Sequence, residues 1–210
     1  MPNKLITVAT RVFALFFVVG ATLILFSPKT YAVVRTWDGG AVLDTKWATC
    51  ANWSGDICPG SSDIATFDVT SVTSTSIQAP VSVAGIDINA GYAQIITQEA
   101  GAGNTVTVGA SNFDMADGTF TGGNTTIDVN GAFTLSAGTF TSTSSTLSIS
   151  GAFTMSSVSD SFLHNNGTVQ FDGTASTHNF ATSESFYNFT QASNALNAET
   201  LSAGDTLIVE

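Results

Sequence analysis

Two cysteines, two histidines, three tryptophans and a scatter of aspartates are the residues of this chain that could do chemistry. Cys50 and Cys58 stand with seven residues between them. An even pair in an exported chain reads first as a disulfide. As metal ligands the two thiolates would need further partners, and no histidine lies near them to fill a set of four. The loop they close is short, so the bond contributes about 2–3 kcal/mol on the chain-entropy model. Asp38, Asp44, Asp56, Asp63 and Asp68 crowd the same stretch, and hard cations take oxygen ligands. A structural calcium ion is therefore the one cofactor left open, although neither an EF-hand loop nor a glycine-rich calcium nonapeptide is present. Scattered acids of this kind read otherwise as a solvated face.

Catalysis has little to work with. Polysaccharide cleavage needs paired carboxylates or a base with cationic helpers. His164 and His178 both stand in Asn/Thr-rich contexts that read as turns, and no Lys or Arg follows residue 70. Asp114 and Asp117, like Asp56 and Asp63, lie close in sequence without forming a recognisable motif. No serine or cysteine nucleophile is paired with a base. The expectation is a protein without enzymatic activity.

Trp37, Trp47 and Trp53 are all the tryptophans of the chain. Indoles bury a large apolar area while their N–H seeks a partner, which suits a cap over an open core. Exposed indoles stack on sugar rings, so a glycan platform is the functional alternative.

The elements that would hold these residues follow from a repeat. Rows beginning at 111, 131 and 151 read SNFDMADGTFTGGNTTIDVN, GAFTLSAGTFTSTSSTLSIS and GAFTMSSVSDSFLHNNGTVQFD, the last with two residues inserted before Phe162. Residues 91–110 fit more loosely. The columns agree in chemistry: Phe113, Phe133 and Phe153; Met115, Leu135 and Met155; Phe120, Phe140 and Phe162; Ile127, Leu147 and Val169; Val129, Ile149 and Phe171. Within each row apolar residues alternate at spacing two, which is strand periodicity with one face buried. Turn formers such as Ala137-Gly138 and Gly122-Gly123-Asn124 separate them.

A fixed repeat of this length marks a solenoid. Five buried apolar side chains supply roughly 8–15 kcal/mol per row, whereas ordering twenty residues costs about 20–40 kcal/mol. One row cannot fold alone; stacked rows cover each other's apolar columns and share ladder hydrogen bonds. The competing architecture is an antiparallel sandwich with turns every 8–12 residues or so. The matched columns instead predict an all-β fold, a parallel β-helix or β-solenoid with coils of about twenty residues and three sides. Phe113, Phe133, Phe153, Phe120, Phe140 and Phe162 are the expected core ladder. Beyond Phe171 the register loosens, and the chain ends on the alternating stretch LSAGDTLIVE without a polar cap. A bare sheet edge invites aggregation, so a downstream part of the same polypeptide is expected.

Residues 1–32 read as a separate segment. Lys4 and Arg11 precede the apolar run Val12–Phe26, and a Thr-Tyr-Ala ending closes at Ala32. This is the pattern of a cleavable signal helix, and its apolar run is shorter than the roughly 20 residues a membrane span needs. The expected organisation is signal peptide 1–32, Trp-rich cap with the disulfide 33–80, and solenoid repeats 81–210. After Ala32 only Arg35 and Lys46 stand against sixteen acidic residues. Nucleic acid and anionic membrane surfaces are bound through Lys/Arg clusters, so neither is an expected partner, and no membrane contact is expected beyond the signal segment.

The pattern W-x-G-G, then W-x-x-x-x-N-W-S-G, then P-G-x-x-D-x-A-x-F over residues 37–67, followed by VAGIDINAGY at 83–92, resembles the start of bacterial secreted surface proteins built on autotransporter-like β-strand repeats. That resemblance implies export, a β-solenoid stalk and a role in adhesion or surface structure. No membrane barrel follows in this chain, and the two cysteines are not part of the pattern. In a bacterial context the four matches to the N-glycosylation acceptor pattern, Asn52-Trp-Ser among them, carry no meaning. The expected function is thus a non-catalytic structural or adhesin-type protein, secreted or at the cell surface, meeting surface glycans or other surface proteins. A carbohydrate-binding module using the tryptophans is the second reading, and a polysaccharide-active β-helix enzyme the third.

Overall fold

A computed structural model describes residues 32–156, 161–174, 176–192 and 199–210. The expected signal helix lies outside the described residues. No α-helix occurs among them, and the chain winds as a parallel β-solenoid of about six coils with three faces.

The ladder starts with β1 (Val34–Thr36). Each later coil lays one strand on each face. The first coil comprises β2 (Ile64–Phe67), β3 (Thr75–Ile77) and β4 (Val81–Val83); the second, β5 (Gly85–Ile88), β6 (Ile95–Gln98) and β7 (Val106–Val108). The third comprises β8 (Phe113–Met115), β9 (Thr119–Thr121) and β10 (Ile127–Val129); the fourth, β11 (Phe133–Leu135), β12 (Thr139–Thr141) and β13 (Thr146–Ile149). The fifth comprises β14 (Phe153–Met155), β15 (Phe162–Leu163) and β16 (Thr168–Phe171). The last windings are β17 (Thr177–His178), β18 (Ser183–Phe186) and β19 (Asn188–Gln191), then β20 (Thr200–Leu201) and β21 (Thr206–Val209). The first face orders β1-β2-β5-β8-β11-β14, the second β3-β6-β9-β12-β15, and the third β4-β7-β10-β13-β16-β19. Every pairing within these faces is parallel.

The repeat columns are the inward rungs of this ladder. Phe113 pairs with Phe133, and Phe133 with Phe153. On the second face Phe120 pairs with Phe140, and Phe140 with Phe162 across the two-residue insertion. Ile127, Leu147 and Val169 align on the third face, as do Val129, Ile149 and Phe171. All are buried. The rings of Phe113 and Phe133 lie 5.0 Å apart at 10°, and those of Phe120 and Phe140 5.0 Å apart at 12°. These stacks follow from strand spacing: neighbouring strands sit about 4.8 Å apart, close to the thickness of stacked aromatic rings.

The recurrence of GAFT has a steric cause at one corner. A Cβ placed on Gly151 would come within 2.5 Å of the Gly131 carbonyl oxygen, and one on Gly131 within 2.7 Å of Asn112 Oδ1. The backbones of successive coils touch there, with Gly151 N–H donating to Gly131 O at 2.9 Å. Asn112 opens this column at φ 70° and accepts Ala132 N–H on its Oδ1 at 2.9 Å.

Coil length is uneven. Twenty residues separate Phe113 from Phe133 and Phe133 from Phe153, but twenty-seven separate the partners Ile86 and Phe113. Longer corners absorb the difference. One of them, following β6, is organised by the buried Gln98, which accepts Gly123 N–H at 2.8 Å and donates to Asn104 O at 2.8 Å.

The stretch 33–80 contains the first rungs of the ladder as well as the tryptophans. β1 pairs with β2, and β2 with β5, so strand stacking runs unbroken from Val34.

Candidate functional site

Two places gather chemistry-bearing side chains, one at each end of the ladder. At the N-terminal end the three tryptophans form a single aromatic cluster over the first coil. Trp53 meets Trp47 at 4.8 Å and Trp37 at 5.2 Å, both edge-on, and all three rings contact Phe67. Phe67 in turn meets Tyr92 at 5.3 Å, which joins the cluster to the core below. Trp37 and Trp53 are 0% exposed and Trp47 4%. Two of the indole N–H groups are used inside the protein: Trp53 Nε1 donates to Trp47 O at 2.8 Å, and Trp37 Nε1 to Thr73 O at 3.0 Å. A ring that stacks on sugar needs an open face, whereas these faces lie against other aromatic rings. The three rings form a buried aromatic plug at the N-terminal end of the described coils.

Two short 3-10 turns, Cys50–Asn52 and Ser54–Asp56, carry the plug. Cys50 and Cys58 are joined in a disulfide that closes them into one loop. Its hub is Asn52, which is fully buried. Asn52 Oδ1 accepts Ala41 N–H at 2.9 Å, and Nδ2 donates to Asp44 O at 2.6 Å. Reading Asn52-Trp-Ser as an acceptor pattern misses this role. The signal available was a polar residue between Ala51 and Trp53, which does not announce burial.

Four of the five aspartates of this region are engaged with their own loops. Asp38 accepts Gly40 N–H, Asp63 accepts Gly60 N–H, and Asp68 accepts Thr70 N–H. Asp44 accepts from Thr49 Oγ1 and Lys46 N–H, and these bonds hold its carboxyl below the usual range. No group of three or more His, Cys, Asp or Glu side chains placed to hold a metal occurs among the described residues. Asp114, flagged beside Asp117 by sequence proximity, instead faces Asp87 directly across the β5–β8 pair. Burial first, and the Asp114 charge second, push the Asp87 carboxyl up. Asp117 turns away and accepts Gly91 and Gly118 N–H, which lowers its pKa.

At the C-terminal end the structure corrects one reading. His178 is not a turn residue: it lies in β17 and is 1% exposed. Its neighbours in the ladder explain why, because it occupies the rung after Phe153, where Phe113, Phe133 and Phe153 precede it. The imidazole stacks on Phe171 at 3.7 Å and 10°. Nδ1 accepts Phe153 N–H at 3.0 Å, so the ring proton resides on Nε2, which points at Glu199 Oε2 at 3.0 Å. Glu199 also accepts Ser176 N–H at 2.8 Å. A histidine oriented by a carboxylate resembles half of a catalytic triad. Here, however, the second nitrogen is already spent on a backbone amide and cannot serve as a base. Beside the pair lies a cavity of about 130 Å³ lined by Phe171, Phe189, Leu201 and Leu207 along with His178 and Glu199. His164, by contrast, sits at the Asn165-Asn166 turn, within 3.3 Å of Glu210.

Comparison of the chain with protein-family models, with curated proteins and with solved structures finds no match. What the chain displays is a β-solenoid of about six coils headed by a tryptophan-rich cluster.

Proposed function

We propose that this chain is a non-catalytic, exported structural or adhesin-type protein of the bacterial surface, in keeping with its resemblance to secreted proteins with autotransporter-like repeats. The observation that carries the reading is the long parallel ladder, whose outward positions bear short hydroxyl and acidic side chains such as Thr107, Asp128, Thr134 and Thr154. Such a ladder spans on the order of 30 Å at about 4.8 Å per coil and presents the same chemistry along its length. The disulfide supports an oxidising, extracytoplasmic setting. Burial of the indoles supports a capping role for the tryptophans over a glycan platform, and leaves the outward columns as the surface that meets surface glycans or other surface proteins.

Fractionation with surface-protease accessibility, followed by a glycan-array screen of the chain from Val33 onward, tests this reading. The expected result is protein outside the cytoplasm with Cys50 and Cys58 oxidised, and any glycan retention unaffected by conservative replacement of Trp47. Cytoplasmic protein with both thiols reduced would overturn it, as would hydrolysis of an offered polysaccharide.

A further inference from the structure

The hydrogen-bond pattern of the first face breaks at one rung. Phe113 N–H donates to Ala132 O at 2.9 Å, and Phe133 N–H donates to Ala152 O at 2.8 Å. By that rule Phe153 N–H should meet the carbonyl of the next coil. It meets the His178 imidazole instead, at 3.0 Å. A side chain that can change its charge thus replaces a peptide carbonyl, which cannot. The break falls where the ladder is thinnest. Among the described residues β17–β20 and β18–β21 are separate two-stranded sheets: the bridge Thr154–Asn179 ties the first of them to β14, the rings of Phe180 and Phe186 pack on Phe153, and the third face continues through β16–β19.

We propose that His178 is a pH-sensitive joint: with its ring neutral it locks the pairs β17–β20 and β18–β21 onto the body of the solenoid, and with its ring protonated it releases them. The chemistry is local. Protonation places a hydrogen on Nδ1, which then faces the Phe153 N–H donor to donor, and the buried amide loses its acceptor. The ring meets Phe153 from β14, Phe171 from β16 and, in register, Leu201 from β20; Glu199 is the titratable group bonded to it. The other acids of these coils are Glu184 in β18, Asp205, which accepts Phe180 N–H, and Glu210, which pairs with His164.

Burial in the aromatic core holds His178 below its ordinary value of 6.5, and the bond and charge of Glu199 offset only part of that effect. A histidine whose pKa is lower when docked than when released binds its proton preferentially in the released state. The joint is therefore at full strength above the ordinary histidine value, and it weakens as pH falls below it toward the docked value.

Hydrogen exchange of the intact chain, expressed as protection relative to intrinsic rates, reads this opening segment by segment. Between about pH 7.5 and about pH 5.5, Ser183–Phe186 and Thr206–Val209 should lose protection by up to about tenfold, while Phe113–Met115 and Phe133–Leu135 keep theirs. His178→Asn retains an oxygen acceptor for Phe153 N–H and cannot titrate, so it should abolish the pH dependence; His164→Gln should leave it intact. Equal protection of the wild type at both pH values would overturn the proposal, and so would the same loss in His178→Asn. Should that variant not fold, a wild-type NMR titration decides: the ring nitrogens of His178 and the Phe153 amide must shift together, and movement of one without the other overturns the joint.

Discussion

Replacing Phe133 with alanine probes the interior of the ladder at a fully enclosed rung. Phe133 is fully buried and its ring touches three others: Phe113 at 5.0 Å, Phe140 at 4.8 Å and Phe153 at 4.9 Å. Truncating a buried phenylalanine costs about 3–5 kcal/mol, more when the surroundings cannot close over the cavity. They cannot close here, because backbone bonds pin the rungs above and below at about 4.8 Å spacing. Three aromatic contacts of about 0.5–1.5 kcal/mol each are lost with the ring, which places the cost toward the upper part of the range. For a domain of this size the melting temperature should fall by roughly 10 °C or more. Thr134→Ala, one residue along and facing outward on β11, should change stability by less than about 0.5 kcal/mol. Denaturant and thermal unfolding followed by circular dichroism measure both. A Phe133→Ala variant within about 1 kcal/mol of the wild type would refute the stacked-core argument.

Other perturbations have defined directions. Replacing Cys50 and Cys58 together by serine should cost about 2–3 kcal/mol, visible as a lower melting temperature and as loss of the wild type's sensitivity to reductant. Asn52→Ala strands the Ala41 amide and the Asp44 carbonyl; a cost of about 1–3 kcal/mol is expected, together with a red-shifted tryptophan emission as the plug loosens. Asp87→Asn removes a like-charge contact with Asp114 and should raise stability by about 0.2–1 kcal/mol near neutral pH. Because the folded Asp87 pKa is raised, the wild type gains stability as that carboxyl protonates on acidification, so the advantage of the variant should shrink as pH falls toward 4. Paired melting curves across that range check it.

The repeat columns were legible because parallel stacking brings equivalent positions of successive coils into register, so a periodic column becomes a physical neighbourhood. Phe120, Phe140 and Phe162 could be aligned even across an insertion, since extra residues in a corner leave the strands in place. The plug was half legible: three tryptophans announce a large apolar area, but their burial and the hub at Asn52 depend on how the loop folds back. His178 was misread because a run of Asn, Thr and Ser looks like a turn. Its burial comes from the aromatic column it joins and from Glu199, twenty-one residues away, and no local pattern encodes either. The Asp87–Asp114 contact was equally hidden, because the longer coil between them shifts the twenty-residue count.

The account rests on parallel coils stacked in register, and paired spin labels measure that directly. Ser82, Thr107, Asp128, Ser148, Gln170 and Thr190 form one outward column on the third face, one residue per coil. Labels at Ser82 and Thr190, both exposed, should lie roughly 24 Å apart, five steps of about 4.8 Å. Moving the second label back to Gln170 and then to Asp128 should shorten the distance by one step and then by two more. Distances that fail to grow with coil number along this column would contradict the solenoid and every inference drawn from it.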